Sequence, residues 1–253
     1  MPNDALSELS GVLPGHAPSY PLEWSCSDAH TFTITIEGED TAIKEILAYT
    51  PFEYVSNIYQ ISFSSLNEHT LALNDGGYLE CAVTLPVRYK DICGGYIPYM
   101  YCTYIPAILA GREVYGYPKQ HADITWIETS IAAASSVRKN GVELVKSSFV
   151  YDDTNDYYLK EVEEIEKINA TRLLYKTVPS GFGGKPDIRQ IILRDTGRKT
   201  LSESIGRAAV KLGVLKSDPI YRLGIKRILG AKFSVSKYGG GSKIERCTLI
   251  TTL

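Results

Sequence analysis

Alternating apolar and polar positions recur along the chain and predict many short β-strands. In the segment 31–37, Phe32, Ile34 and Ile36 alternate with threonines, which is typical of a strand with one buried face. The same pattern, bounded by turn-forming residues, predicts further strands at 59–64, 78–89, 122–128, 131–137, 142–145, 188–193 and 245–251. This order favours a mainly β fold, an antiparallel sheet or barrel with a few short helices, over repeated βαβ units.

Few segments between these strands have helical features. A short helix is predicted from Thr41 to Ala48, with Asp40 as its N-cap and Pro51 beyond its end. The acidic segment 152–167 is interpreted as a solvated helix face or a loop. The remaining intervals are predicted as turns or loops at 74–77, 91–95, 139–141, 180–186 and 237–243, and as a short surface helix or loop at 220–229.

Composition and charge narrow the classes of function. The chain has 253 residues, of which 44% are hydrophobic and 22% charged, as is ordinary for a globular protein of one large domain or two small ones. The formal net charge of −2 gives no reason to expect nucleic acid or an anionic membrane as a partner. The 18 tyrosines, against 6 phenylalanines, suit pockets that need both an apolar ring and a hydroxyl.

The cysteines and the first residues bear on the cellular compartment. The 5 cysteines have no zinc-ligand spacing, so we expect free thiols in a reducing compartment and no metal site. Residues 1–22 contain no apolar signal-peptide region, and no apolar run of about 18 residues marks a membrane span. The protein is therefore expected to be cytoplasmic, with residues 1–22 as an N-terminal arm.

Lys119 ends a short segment, 111–119, that is rich in glycine and aromatic residues and follows the uncharged residues 96–110. Pro118 removes a backbone donor and favours extended geometry before it, so Lys119 is expected at the end of a turn. A surface lysine is the simplest interpretation of this spacing alone. Burial, in contrast, can lower a lysine pKa by about 3–5 units and make the amine a nucleophile able to form a Schiff base.

Two sequence blocks carry a family resemblance. The segment 111–119, Gly-Arg-Glu-Val-Tyr-Gly-Tyr-Pro-Lys, resembles the Gly-Arg-Glu-x-x-x-Tyr-Pro-Lys signature of the acetoacetate decarboxylase family. In the second block Glu80 is followed six residues later by Pro86-Val87, at the same distance before the lysine as in the family. The resemblance implies a cone-shaped, largely antiparallel β-barrel or sheet, as a single domain over residues 1–253, with the catalytic lysine deep inside.

The same resemblance implies roles for individual residues. Lys119 would form an imine with a ketone, and Glu80 would orient the substrate, move protons or balance the iminium charge. Gln120, Tyr101 and Tyr117 would line the substrate pocket, and no cofactor is implied. Desolvation is expected to lower the pKa of a buried Lys119.

The chain also departs from the family. Gln120 stands where the family has a second lysine, and an ungapped count puts the family's arginine and second glutamate at Ala29 and Ser62. A slip of one residue would offer His30 or Ile61 instead, and neither restores the original chemistry. A small carboxylate would then meet less positive charge, so acetoacetate is expected to be a poor substrate.

Three functions stay open at this point. The first is a Schiff-base-forming lyase that decarboxylates a β-keto acid larger than acetoacetate. The second is an aldolase, dehydratase or cyclase of specialised metabolism on the same scaffold, and the third is a non-catalytic ligand-binding protein. In each case the expected partner is a small keto acid or ketone rather than nucleic acid or membrane, and a homo-oligomer is expected.

Overall fold

The structure is a computed structural model, and it describes residues 23–70, 76–154, 160–242 and 247–253. The strands formed by these residues belong to one 14-stranded sheet. In chain order they are β1 (Glu23–Glu37), β2 (Glu53–Tyr54), β3 (Ile58–Leu66), β4 (Tyr78–Tyr89), β5 (Ile92–Cys102), β6 (Lys119–His121), β7 (Asp123–Glu128), β8 (Ala132–Lys139), β9 (Val142–Tyr151), β10 (Thr171–Val178), β11 (Ile188–Asp195), β12 (Lys199–Leu212), β13 (Arg227–Ser242) and β14 (Cys247–Thr252).

The sheet is largely antiparallel, as the sequence pattern predicts. Its strand order is β14-β11-β10-β5-β4-β3-β1-β13-β12-β9-β8-β7, with β2 added to β4 and β6 added to β5. Two pairings in the described part of the chain are parallel, β10 with β5 and β5 with β6. The end strands β14 and β7 do not pair in this order, so the described strands form an open mixed sheet rather than a closed barrel.

Short helices accompany the sheet. They are α1 (Asp40–Leu47), α2 (Ile105–Ala110) and α3 (Lys160–Asn169), with a π-helical turn at Gly111–Tyr115 and a 3₁₀ turn at Pro219–Leu223. Across the described ranges, no helix combines the length and the apolar character needed to cross a membrane.

The predicted helices are confirmed with changes at their ends. Helix α1 begins at Asp40, and the N-cap position belongs to Glu39 rather than Asp40. Helix α3 occupies the second half of the acidic segment and buries Val162 and Ile165, three residues apart, while its glutamates face outwards or are partly covered. An acidic helix is therefore held by a narrow apolar stripe, which is the usual arrangement of a surface helix.

Strand β1 shows how the alternating pattern produces both a core and a cavity wall. The apolar residues of the segment 31–37 are fully buried, and Phe32 stacks on Phe63 of β3 with ring centroids 4.9 Å apart. Burying an apolar side chain of this size stabilises the fold by roughly 1.5–3 kcal/mol. Thr31 and Thr33 point to the other face, where they line a cavity. The polar face of this strand is thus turned towards a binding space rather than bulk water.

Three local predictions need correction. The segment 220–229 contains a short helix as predicted, the 3₁₀ turn Pro219–Leu223, but this turn is not confined to the surface, because Ile220 and Leu223 are fully buried, and β13 begins at Arg227. The segment 237–243 was predicted as a loop, but its residues up to Ser242 belong to β13. This strand continues along β1 through the glycines of the segment. Ladder hydrogen bonds use only backbone groups, so a glycine-rich segment can extend a strand when a partner strand lies beside it.

The turn predicted at 91–95 is also shorter than expected. Gly94 and Gly95 lie within β5, where they pair with Val87 and Pro86 of β4. A Cβ atom at Gly95 would lie 2.6 Å from Thr84 Cγ2, so this strand position requires glycine. Strand β10 was not predicted, because its apolar positions do not alternate, and β12 was also missed although Ala208, Val210 and Leu212 alternate in its second half. The predictions of an arm at 1–22, of half the turn at 74–77 and of the start of the last strand fall outside the described residues.

Candidate active site

The backbone around Lys119 is shaped to direct its side chain inwards. The π-helical turn ends at Gly116, whose φ of +82° is in the left-handed region, and a Cβ there would lie 2.5 Å from Cβ of Lys176. A Cβ at Gly111 would lie 2.7 Å from Cδ of Lys119 itself. A side chain at either glycine of the 111–119 segment would therefore clash with a neighbouring residue. The absence of a Cβ at Gly111 leaves room for the side chain of Lys119.

Lys119 is buried against a carboxylate. It is 8% exposed and begins β6, where it pairs with Met100 of β5. Its Nζ donates to the carboxylate of Glu80, whose side chain is 14% exposed and extends from β4. The structure thus brings together the two residues that the sequence assigned to the chemistry, 39 positions apart in the chain.

Opposing effects act on the pKa of Lys119. Burial lowers it and is the largest single effect, but the charge and the hydrogen bond of Glu80, with smaller contributions from Cys102 and Tyr117, hold the pKa above the ordinary lysine value. The expectation of a lowered pKa was therefore wrong, because it counted desolvation without the carboxylate in contact. Lys119 and Glu80 form a buried ion pair.

This pair lies at the wall of a cavity of about 570 Å³. Two aromatic rings flank the amine, since the ring centroids of Tyr78 and Tyr117 lie 5.9 Å and 6.0 Å from Nζ. The volume is in the range of small-molecule sites, about 300–1,000 Å³. The cavity therefore offers space for a ligand of moderate size directly beside the amine.

Part of the cavity wall consists of paired hydroxyl groups from neighbouring strands. Thr33 Oγ1 and Ser62 Oγ are 2.9 Å apart, and Thr31 Oγ1 and Ser64 Oγ are also 2.9 Å apart. These four residues lie on β1 and β3 with their side chains in the cavity. They are uncharged donors and acceptors that can orient an oxygen-bearing ligand.

Two of the predicted pocket residues do not line this cavity. Tyr117 does, but Tyr101 and Gln120 extend to the other side of their strands, where both donate to Asp218 Oδ1, at 3.1 Å and 3.4 Å. Successive side chains of a strand point to opposite faces, so Lys119 in the cavity places Gln120 outside it. A lysine at position 120 would therefore not face the cavity, and its replacement by glutamine removes no charge from there.

The structure also partly corrects the prediction that Ala29 on β1 and Ser62 on β3 stand where the family has an arginine and a second glutamate. Ser62 lines the cavity, but Ala29 is fully buried in a separate apolar cluster and the cavity positions of β1 are Trp24, Thr31 and Thr33. His30 points away and contacts Asp28 and Glu128. Of the two positions given by the ungapped count, Ser62 thus faces the cavity and Ala29 does not.

Three arginines that were not predicted as site residues line the cavity, namely Arg172 on β10, Arg194 on β11 and Arg198 just before β12. The cavity is therefore not poor in positive charge, contrary to the expectation from Ala29 and Ser62. The arginines lie outside the two sequence blocks that carry the family resemblance. The pairing of β10 with β11 places Arg172 opposite Arg194, and this register is not readable from the sequence.

Comparison with known proteins agrees with this architecture. The family model described as acetoacetate decarboxylase (ADC) matches residues 12–244. The acetoacetate decarboxylase of Paraburkholderia phytofirmans is 23% identical over 235 residues, covering 90% of this chain and 89% of that protein.

Solved structures share the fold. The structure of acetoacetate decarboxylase from Legionella pneumophila superposes with a TM-score of 0.82 at 19% identity, covering 100% of this chain and 97% of that one. The enduracididine biosynthesis enzyme MppR, solved with the condensation product of pyruvate and imidazole 4-carboxaldehyde, has a TM-score of 0.74 at 13% identity, covering 95% and 94% of the two chains. From the family match over most of its length and this shared fold, the chain belongs to the acetoacetate decarboxylase family.

Proposed function

We propose that the protein is a Schiff-base-forming lyase, most simply a decarboxylase of a β-keto acid larger than acetoacetate. The observation that carries this proposal is the buried Lys119–Glu80 pair at the wall of the 570 Å³ cavity. A lysine held next to a proton acceptor, away from water and beside an empty volume, is suited to attack a carbonyl group. Family membership supports the same chemistry.

The first step is proton transfer within the pair. A ketone that enters the cavity displaces water and weakens the solvation of both charges, which favours the neutral amine and the protonated Glu80. The nitrogen of Lys119 attacks the carbonyl carbon, and the carbonyl oxygen leaves as water after taking one proton from this nitrogen and one from Glu80. A protonated imine remains.

The iminium then accepts electrons. The bond between the α-carbon and the carboxylate breaks, its electron pair moves towards the iminium nitrogen, and carbon dioxide leaves an enamine behind. Glu80, which is a carboxylate at this stage, would take up one proton from a water molecule and pass it to the enamine carbon, and addition of a second water to the iminium releases the ketone and returns Lys119 to its protonated form. The reaction therefore takes up one proton from solvent for each carbon dioxide released.

Cavity size favours a substrate larger than acetoacetate. Apolar side chains of Ile97, Met100 and Ala107 share the wall with the rings of Tyr78 and Tyr117. A longer substrate gains roughly 25 cal/mol for each Å² of apolar surface that it buries there. Acetoacetate, which has only one methyl group beyond its carbonyl, would leave most of this surface in contact with water.

A second candidate uses the same imine for aldol condensation, dehydration or cyclisation in specialised metabolism. It is supported by the likeness to MppR, described with a condensation product of pyruvate and an aldehyde. The hydroxyl pairs of Thr33 with Ser62 and Thr31 with Ser64 could hold the oxygen of a second carbonyl compound. A third candidate is a ligand-binding protein that does not turn its ligand over.

Cytoplasmic location and a homo-oligomeric state belong to the proposal as well. The cysteines that the structure describes are all free thiols, as is usual in a reducing compartment.

Reductive trapping separates these candidates. We expect borohydride with 3-oxooctanoate to add the mass of the reduced adduct to the Lys119 peptide, and the Lys119→Met variant to show none. Lys44→Met, which removes an exposed lysine paired with Asp40, is the matched control and should trap normally. Carbon dioxide release with trapping supports the decarboxylase, and trapping without it supports the aldol candidate. Absence of any adduct on Lys119 would contradict both.

A further inference from the structure

Some charged side chains that line the cavity form no ion pair with another described residue. Lys119 pairs with Glu80, and Lys232 pairs with Glu166 and Glu203. Once these pairs are set aside, the cavity retains three arginines and one acid, Asp195. Asp195 is exposed and accepts a hydrogen bond from the backbone N–H of Gly197. Among the described residues, the three arginines form no ion pair with a carboxylate.

Two of these arginines face each other directly. Arg172 and Arg194 are partners across the antiparallel β10–β11 pair, so their side chains leave the sheet on the same face. Cβ atoms of such partners are about 4.5–5.5 Å apart, and like charges in this position are unfavourable. Without a bound anion this arrangement costs stability, and a structural role alone does not explain it.

Arg172 has unused hydrogen-bonding capacity. Its Nη1 is buried without a hydrogen-bond partner, and the neighbouring Asn169 Oδ1 is also unpartnered. Burial lowers the pKa of Arg172 first, and Arg194 and Arg198 lower it further because they are positively charged. A guanidinium remains ionised even so, which leaves a positive charge in need of an anionic ligand.

Arg194 is held rigidly between aromatic rings. It is 6% exposed, its guanidinium lies 4.1 Å from the ring centroid of Tyr115, and its Nη1 donates to Tyr117 Oη at 2.7 Å. Its Nε is buried and has no hydrogen-bond partner. Stacked and anchored in this way, Arg194 presents a donor at low entropic cost.

Tyr117 connects this cluster to the reacting amine. Its ring centroid lies 6.0 Å from Lys119 Nζ and 5.4 Å from Arg194 Cζ. Arg198 lies close by and donates to the hydroxyls of Ser234 and Ser236. A single small molecule can therefore reach both the amine and the arginines.

We propose that Arg172 and Arg194, with Arg198 beside them, bind a carboxylate that the substrate keeps throughout the reaction. The substrate would then be a ketone bonded to Lys119 that carries this carboxylate several bonds away from the reacting carbonyl. A decarboxylase of this kind acts on a keto dicarboxylate and an aldolase on a keto acid. Only the ketone part of this inference rests on the proposed function, because the carboxylate site stands without imine formation.

The test uses a ligand that has no carbonyl able to form an imine. Isothermal titration calorimetry compares hexanoate with hexanamide on the wild-type protein, and we expect hexanoate to bind at least about tenfold more tightly. In Arg172→Gln and Arg194→Gln the preference should fall about tenfold or more for each lost charged contact. Arg207→Gln, which removes an exposed arginine paired with Asp152, should leave the preference unchanged.

Melting temperatures show whether each arginine variant is folded. Arg172→Gln relieves a like-charge contact, so it should melt at or above the wild-type temperature, and hexanoate should stabilise the wild type but not this variant. Arg194→Lys keeps the charge and should keep part of the preference. Equal binding of hexanoate and hexanamide, an undiminished preference in both glutamine variants, or tighter binding of inorganic phosphate than of hexanoate would overturn the proposal.

A parallel trapping experiment separates the two proposals. Borohydride with 5-oxohexanoate and with 5-oxohexanamide reports imine formation at Lys119, and the carboxylate form should trap at the lower concentration. A hexanoate preference without any adduct would refute the lyase and leave the carboxylate site standing. Adducts formed equally by both ketones, with no hexanoate preference, would refute the carboxylate site and leave the lyase standing.

Discussion

Two lysine–carboxylate pairs lie on opposite sides of β6, and they differ in what surrounds the carboxylate. Asp218, 2% exposed, accepts from Lys139 at 2.6 Å and from Tyr101 at 3.1 Å, and Gln120 bridges both members of the pair. Glu80 is held by Lys119 and borders the cavity. Consecutive residues, Lys119 and Gln120, thus serve two different carboxylates.

The comparison separates a pair enclosed by protein groups from the pair that we propose to be reactive. The oxygens of Asp218 are occupied by three side chains, so moving a proton to it would break hydrogen bonds that nothing nearby could replace. Glu80 has open volume beside it, and a ligand can supply new contacts when the proton moves. The chemistry of a buried ion pair therefore depends on whether its neighbourhood is filled, more than on the two residues themselves.

The largest expected effect concerns the two lysines. Lys119→Met should abolish both adduct formation and turnover, because no other lysine within the described ranges donates to Glu80. Lys139→Met should still form the adduct on Lys119, since Lys139 does not line the cavity. Mass spectrometry of peptides after borohydride treatment with 5-oxohexanoate reads out both variants. Loss of the adduct in a folded Lys139→Met protein would remove the distinction between the pairs.

Replacing Glu80, the carboxylate proposed to move protons, should have the next largest effect. Glu80→Gln keeps a hydrogen-bond acceptor for Lys119 but cannot take its proton, so turnover should fall by about 10²–10⁴-fold. Asp218→Asn, compared as the matched change in the other pair, should reduce turnover only through lost stability. Steady-state rates normalised to the folded fraction provide the measurement, and equal losses in the two variants would count against the assigned roles.

For the free energy of unfolding we expect the opposite order, with the larger loss on replacing Asp218 rather than Glu80. Asp218→Asn leaves Lys139, which is largely buried with a side chain 18% exposed, without its counter-charge, and we expect a loss of about 3 kcal/mol in the free energy of unfolding. Lys139→Met combined with Asp218→Leu should recover part of it, because an apolar pair of similar volume removes both buried charges. Urea denaturation monitored by circular dichroism tests this. A change below about 1 kcal/mol would mean that the pair is effectively solvated.

A smaller effect should appear in the titration of Lys119. In the wild type the Glu80 charge holds the pKa above the ordinary value of 10.5, so the rate of acylation by acetic anhydride should rise with pH through a midpoint above that value. In Glu80→Gln the carboxylate is gone and burial remains, so the midpoint should move downwards, below 10.5. Peptide-resolved acylation gives both curves. An unchanged midpoint would show that Glu80 does not control this amine.

Much of the fold was accessible from the sequence because it depends on short-range patterns. The alternation in 31–37, 59–64 and 78–89 predicts strands that the structure contains, since burying one face imposes a period of two on the side chains. The buried residues of the 220–229 segment and the glycine-rich end of β13 were missed. Their conformation depends on partner strands and on the core beneath them, which no local window contains.

The amino-acid sequence contains the 111–119 block and Glu80, and their resemblance to the acetoacetate decarboxylase family predicts the pair that we propose to be reactive. It also determines, through the strict alternation of side chains, that Lys119 and Gln120 cannot face the same side of a strand. The charge state of Lys119 and the arginine cluster were decided by the tertiary structure. Arg172 and Arg194 meet only through the register of β10 on β11, and the pKa of Lys119 depends on a contact that joins β6 to β4. Distances between residues remote in the chain set electrostatic energies, and only the folded chain defines those distances.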